Sequence, residues 1–187
     1  VFVPIESMHL VSKYFGPEKV TIDKLGSKKW ERKKALAIKK TFDTAAELLN
    51  TQAKRNSRRG KKYRIPKNEY NQFCGEFQFI ETQDQKDTIL EIEKDLQDSR
   101  PMDRLVCGEV GFGKTEVAMR ASFISAFNNS QTCVLVPTTV LAQQHYESFI
   151  NRFSHSPINI QKLSRDITAS QKKLILSQLK DGLIDII

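Results

Sequence analysis

Apolar and polar positions alternate along the chain with two different periods. From about Glu69 onward, stretches with apolar residues every three to four positions predict helices over Thr82–Gln97, Lys114–Phe127, Thr139–Phe153 and Thr168–Lys180. Between them lie short runs rich in β-branched and aliphatic residues, which predict strands at Arg104–Cys107, Cys133–Val136, Ile158–Leu163 and Leu183–Ile187. Strands separated by helices of this length form right-handed crossovers, so the pattern predicts an α/β fold: a parallel sheet with helices on both faces.

Ahead of this region the texture differs. From Lys28 to about Arg59, Trp30, Lys34, Ala37/Ile38, Phe42, Ala45 and Leu48/Leu49 recur at helical spacing with lysines between them, and Gly60 supplies a stop. This predicts a long linker helix. Residues 1–27 carry short apolar stretches broken by Pro4, Gly16, Pro17 and Gly26, a texture of strands and turns. Three regions follow: 1–27, a basic helical linker over 28–68, and an α/β region over 69–187. Val1 opens the chain in a strand-like run and Ile187 closes it in another, so the sequence reads as a piece of a longer protein.

Hydrophobic residues make up 39% and charged residues 28% of the 187 positions, enough for a packed core and against wholesale disorder. No apolar run approaches the roughly 18–20 residues needed to cross a bilayer, and no signal peptide pattern opens the chain. The formal charge is +8, from 30 Lys and Arg against 22 Asp and Glu. Its distribution matters more than its total. Lys54, Arg55, Arg58, Arg59, Lys61, Lys62, Arg64 and Lys67 lie together with no acid among them, and without these eight the remaining 22 basic residues balance the 22 acids. A uniformly basic surface is therefore excluded. The cluster has two readings: a solvated, dipole-matched helix end, or a contact with nucleic acid or an acidic protein surface.

Cys74, Cys107 and Cys133 show no CxxC spacing, and two of them sit in apolar runs; buried thiols in a reducing cytoplasm are expected. His9, His145 and His155 form no ligand pair at helical spacing, which argues against zinc.

The chemistry concentrates in Gly108-Glu109-Val110-Gly111-Phe112-Gly113-Lys114-Thr115, which fits G-x-x-x-x-G-K-[ST] between a predicted strand and a predicted helix. Glycines let the backbone wrap so that its N–H groups aim at phosphate oxygens, and the helix start adds its positive end. Lys114 is expected on the β- and γ-phosphates, and the Thr115 hydroxyl on Mg²⁺. Glu116 closes the candidate ATP-binding segment.

Upstream, Thr82-x-x-Gln85 is a capping box pattern. The same Gln85 amide has the donor–acceptor pair that adenine needs, with Phe77 or Phe79 to pack on the ring. Downstream, Thr138-Thr139 opens a predicted helix, first as an N-cap and second as a place to hold a nucleic-acid phosphate.

These three elements, in this order, resemble the motor domains of superfamily-two helicases and translocases. Met102 through Arg120, and Val136-Pro137-Thr138-Thr139 through Gln144-His145-Tyr146, are similar to the bacterial transcription-repair coupling factor family. Val3-Pro4 through His9-Leu10-Val11-Ser12-Lys13-Tyr14, with Lys24-Leu25-Gly26 and Trp30, resembles the end of that family's RNA-polymerase-interacting domain and the helix that follows it. The resemblance implies a RecA-like, P-loop first motor lobe, present here in part. It implies ATP-driven translocation on double-stranded DNA, binding to the RNA polymerase β subunit, displacement of stalled polymerase, and recruitment of the excision-repair damage-recognition protein through regions outside this chain. It makes Gln85 an adenine reader flanked by Phe77 and Phe79, and Thr138 and Thr139 DNA-backbone contacts.

The chain departs from the family in places. Gln83 stands where the family usually has Pro, and Asp166-Ile167-Thr168 follows Ser164-Arg165 where an aromatic residue and a second Arg are usual. No Asp-Glu-x-His strand end and no second lobe are present, so the chain by itself is expected not to turn over ATP. Two other readings stay open: a non-catalytic polymerase-binding remnant, and another superfamily-two DNA helicase.

Overall fold

A computed structural model of the chain describes residues 3–13, 15–16 and 27–187. Tyr14, Lys24, Leu25 and Gly26, on which part of the expected domain tail rests, lie outside the described residues. The chain forms two compact units, Val1–Gln52 and Ala53–Ile187, each described by itself.

In the first unit, Ile5–Leu10 is a short 3₁₀ helix rather than the strand expected for residues 1–27. Pro4 at φ −59° presets a turn, and Ser7 N–H donates to its carbonyl at 2.9 Å. The first long helix, α1 (Lys28–Ser57), starts where the lysine-rich periodicity predicts and stops two residues short of Arg59. None of its residues is buried. No helix among the described residues is long and apolar enough to cross a membrane.

The second unit carries the core. Its helices are α2 (Lys67–Gly75), α3 (Gln83–Gln97), α4 (Lys114–Phe127), α5 (Thr139–Arg152) and α6 (Ala169–Lys180). The last four lie within a residue or two of the predicted spans. Their starts follow side-chain chemistry: Thr82 and Thr168 each close a capping box, with Gln85 and Gln171, and the Thr138 hydroxyl accepts from Leu141 N–H at 3.2 Å. The unpredicted α2 is legible afterwards in Pro66 ahead of Tyr70-x-x-Phe73-Cys74.

The helices meet around an aromatic centre. Phe73 stacks on Phe123 with ring centroids 4.4 Å apart, Phe123 on Phe127 at 4.5 Å, and Phe73 tilts against Phe153 at 4.9 Å. Ile89, Ile92 and Leu96 of α3 and Val117, Met119 and Ile124 of α4 complete the core with Ile160 and Ile186. Each large apolar side chain buried here contributes roughly 1.5–3 kcal/mol.

The sheet departs from expectation. Among the described residues no regular strand forms; pairing reduces to two parallel bridges, Thr132 with Ile186 and Ile160 with Ile186. Three of the four predicted strand segments nevertheless lie side by side, the 185–187 segment in the middle. Ile187 N–H donates to Thr132 O at 2.9 Å, and Gln161 N–H to Ile186 O at 3.0 Å. Arg104–Cys107 joins none of them. Parallel ladders persist where both faces are covered, yet Leu105 is 86% and Leu135 92% exposed. The same openness corrects the cysteines: Cys107 and Cys133 are exposed and only Cys74 is partly buried.

Candidate nucleotide-binding site

Residues 108–113 form a loop whose conformation only its glycines accept easily. Gly111 has φ +86° and Gly113 φ +67°, the latter serving as the left-handed N-cap of α4. Phe112 N–H donates back to Glu109 O at 3.3 Å, and Glu116 N–H to Gly113 O at 3.0 Å. Lys114, first residue of α4, folds its ammonium over the loop and donates to the carbonyls of Gly108 and Glu109, each at 2.6 Å. Thr115, one position on, is partly exposed, and its hydroxyl has no hydrogen-bond partner among the described residues. That leaves one hard oxygen donor in the cleft, of the kind a magnesium ion accepts beside phosphate oxygens and water. No group of three His, Cys, Asp or Glu side chains among the described residues is placed to hold a metal.

Gln85 closes the capping box that its spacing predicts. Its backbone N–H donates to Thr82 Oγ1 at 3.3 Å, and its side-chain Oε1 accepts from Thr82 N–H at 2.8 Å, which closes the capping box. Its Nε2 donates to Phe112 O at 3.0 Å. The amide therefore caps α3 and grips the phosphate loop at the same time. A Cβ at Gly113 would stand 2.6 Å from that Nε2, so any other residue there would displace the Gln85 amide, while the positive φ itself calls for glycine.

An open cleft of about 1070 Å³ gathers Phe77, Phe79, Thr82, Gln85, Gly111–Gly113 and Thr115 with Gln144, His145 and Arg152 from α5. Phe77 and Phe79 meet edge to face, centroids 5.5 Å apart, and Phe79 is 73% exposed. Gly108, Glu109 and Val110 are exposed at the loop's far end, Val110 at 97%. Thr138 and Thr139 stand apart at the start of α5, where Thr139 lines a shallower opening with Gln143 and Arg165. A further cleft of about 1220 Å³ along α3 holds none of the predicted site residues.

Glu116 belongs to the segment through its backbone, while its carboxylate is turned to a buried ion cluster. Arg120 Nε and Arg152 Nη2 both donate to Glu116 Oε1 at 2.9 Å, and Arg152 Nε donates to Oε2 at 2.9 Å. Arg152 Nη2 also donates to Phe73 O at 2.7 Å, and Arg120 reaches Glu81. The Phe77 ring lies 5.7 Å from the Arg120 guanidinium and 5.8 Å from that of Arg152. Burial works against the Arg120 charge, but the hydrogen bonds it donates to Glu116 and Glu81 outweigh that and hold the guanidinium firmly protonated. Sequence spacing does not reveal this cluster, because only Glu116 and Arg120 share a helix face.

The Ser164-Arg165-Asp166 departure has a local account. Asp166 accepts from Lys162 at 2.7 Å and from the Ser164 hydroxyl, and Thr168 is the α6 cap. The hydrogen bond from Lys162, then that from Ser164, lowers the Asp166 carboxyl to about 2.

Residues 82–187 match the family described as DEAD/DEAH box helicase. Transcription-repair-coupling factors align over the whole chain: that of Haemophilus influenzae is 46% identical and that of Escherichia coli 44%, the chain spanning 16% of each relative's length. That of Buchnera aphidicola is 45% identical, with 23% of its length covered. The solved structure of RecG bound to a three-way DNA junction superposes with a TM-score of 0.69 and 34% identity, over 73% of this chain and 19% of that one.

Proposed function

The chain belongs to the DEAD/DEAH box helicase family, and on that premise we propose that it is the ATP-binding part of the first motor lobe of a double-stranded DNA translocase that couples transcription to repair. One observation carries this: a phosphate loop shaped by two positive-φ glycines opens into the same cleft as Gln85 and Phe77. Similarity along the whole of this chain to transcription-repair-coupling factors, at 46% and 44% identity, supports that reading.

In this reading Lys114 leaves the Gly108 and Glu109 carbonyls and neutralises the β- and γ-phosphates, while Gly111–Gly113 N–H groups cradle them. Thr115 would hold Mg²⁺, which would supply charge neutralisation at the phosphates. Phe77 and Phe79 wall the adenine side, and Gln85 reports the base to the loop through Phe112 O. Thr138 and Thr139 hold DNA phosphates at the start of α5, whose other end meets the α4 helix through Arg152 and Glu116. RNA polymerase β subunit and an excision-repair protein are the partners this role requires, both reached through the protein in its full reading frame.

The test is Lys114→Ala in that full reading frame. ATP hydrolysis and displacement of stalled polymerase should be lost, and polymerase binding kept. A variant that still clears the polymerase refutes the assignment.

A further inference from the structure

The basic residues of 54–67 are absorbed neither by the nucleotide cleft nor by the start of α5. Their backbone, itself part of the second unit, is fastened to the rest of that unit at three places. Gly60 N–H donates to Ser99 O at 2.6 Å, Tyr63 N–H to Leu96 O at 2.9 Å, and Arg64 exchanges two bonds with the Asn128 side chain, of 2.9 and 2.8 Å. Two of the eight cations serve that fastening: Arg55 pairs with Asp103, and Lys61 donates to the Asn128 carbonyl at the end of α4 and to Ser130 Oγ. Helix-end dipoles account for Lys54 and Arg55 in the last turn of α1 and for Lys61 at the end of α4, and not for the rest. Lys54, Arg58, Arg59, Lys62, Arg64 and Lys67 are exposed and pair with no carboxylate among the described residues.

We propose that this fastened strip is a second DNA-contact element, gripping the phosphate backbone of a duplex through Arg58, Arg59, Lys62 and Lys67. It rests on the DNA-translocase reading above. The residues between the cations decide the class of partner. Asn56 among them is small and polar, a type that bonds phosphate oxygens, while the Ser57 hydroxyl is held by the Lys54 carbonyl. A protein partner requires apolar or aromatic anchors at the centre of its interface, and those within 54–67, Tyr63 and Ile65, are partly buried against the core of the unit. Tyr63, the aromatic residue of the strip, packs against that core and offers no open stacking platform for single strands. Unpaired cations held on a fixed backbone bind phosphates by counterion release, without reading sequence.

The experiment compares wild type with the combined variant Arg58→Gln, Arg59→Gln, Lys62→Gln and Lys67→Gln, in the full reading frame. Binding to a mixed-sequence DNA duplex is followed by fluorescence anisotropy between about 50 and 200 mM salt. The slope of log affinity against log salt should flatten by about 3 to 4, at roughly 0.9 for each phosphate the variant no longer neutralises. Lys172→Gln with Lys173→Gln on α6 should leave it unchanged. An unchanged slope in the fourfold variant, equal flattening by the α6 pair, or loss confined to binding of polyglutamate overturns the proposal. ATP hydrolysis in the same preparations, with Lys114→Ala as reference, reports separately on the translocase reading.

Discussion

Arg152 and Glu116, 36 residues apart in sequence, meet through two N–H···O bonds of 2.9 Å that tie the last residue of α5 to the first turn of α4. The fork is completed by Phe73 O and by the Phe73 ring, 3.8 Å from the guanidinium. Removing Arg152 leaves a buried carboxylate with Arg120 as its remaining partner. Arg152→Ala should therefore destabilise the second unit by roughly 3 kcal/mol, the lower end for a broken buried pair. Arg152→Lys should recover only part of this, because an ammonium cannot reproduce the two-pronged geometry. Urea unfolding of the three proteins measures it; equal stability of all three would make the pair ornamental.

Gly113→Ala should weaken nucleotide binding for two reasons that a double-mutant cycle separates. The positive φ costs about 1–2 kcal/mol for a residue with a Cβ, and the new methyl collides with Gln85 Nε2. In a Gln85→Ala background the second part vanishes. A coupling of about 0.5–3 kcal/mol is expected from the cycle, and simple additivity would contradict the close approach.

The Asp166 carboxyl titrates at about 2, below the ordinary value near 4. Its ionised form is the one that Lys162 and Ser164 stabilise. The contribution is therefore fully present above about pH 4 and disappears as pH falls through the folded value. Carboxyl-carbon NMR should show that midpoint, and Lys162→Gln should move it upward. A midpoint near 4 in the wild type would remove the pair from solution.

Thiol chemistry should divide the cysteines two to one. Cys107 and Cys133 are exposed and should react rapidly with an aromatic disulfide reagent. Cys74 is half-buried, and burial pushes its thiol up, so little thiolate forms. It should react slowly until the second unit unfolds. Mass mapping of the labelled residues checks the order.

Local chemistry made the helices legible. Thr82, Thr138 and Thr168 are followed by residues that complete their caps, and Gly113-Lys114 marks the start of α4 by itself. The 108–113 loop and the lysine that closes it were legible because the glycines and the lysine are adjacent in sequence. What sequence hides is assembled at a distance: Arg152 on Glu116, Phe77 between two guanidinium groups, Asn128 clasping Arg64. The strands were overstated for a related reason. A run such as Arg104–Cys107 has the composition of a strand, but pairing depends on neighbours that composition does not specify. Cys107 and Cys133 misled in the same way, since an apolar run is buried only when something covers it.

Lys114 donating to two carbonyls of its own loop gives the site a threshold. An incoming anion must offer the ammonium more than Gly108 and Glu109 already do, which favours multiply charged phosphates and turns away weak singly charged ions. The same two bonds keep the ring of backbone in shape between visits. Turnover for such a site begins from a tethered lysine, and part of every binding event is the work of untying it.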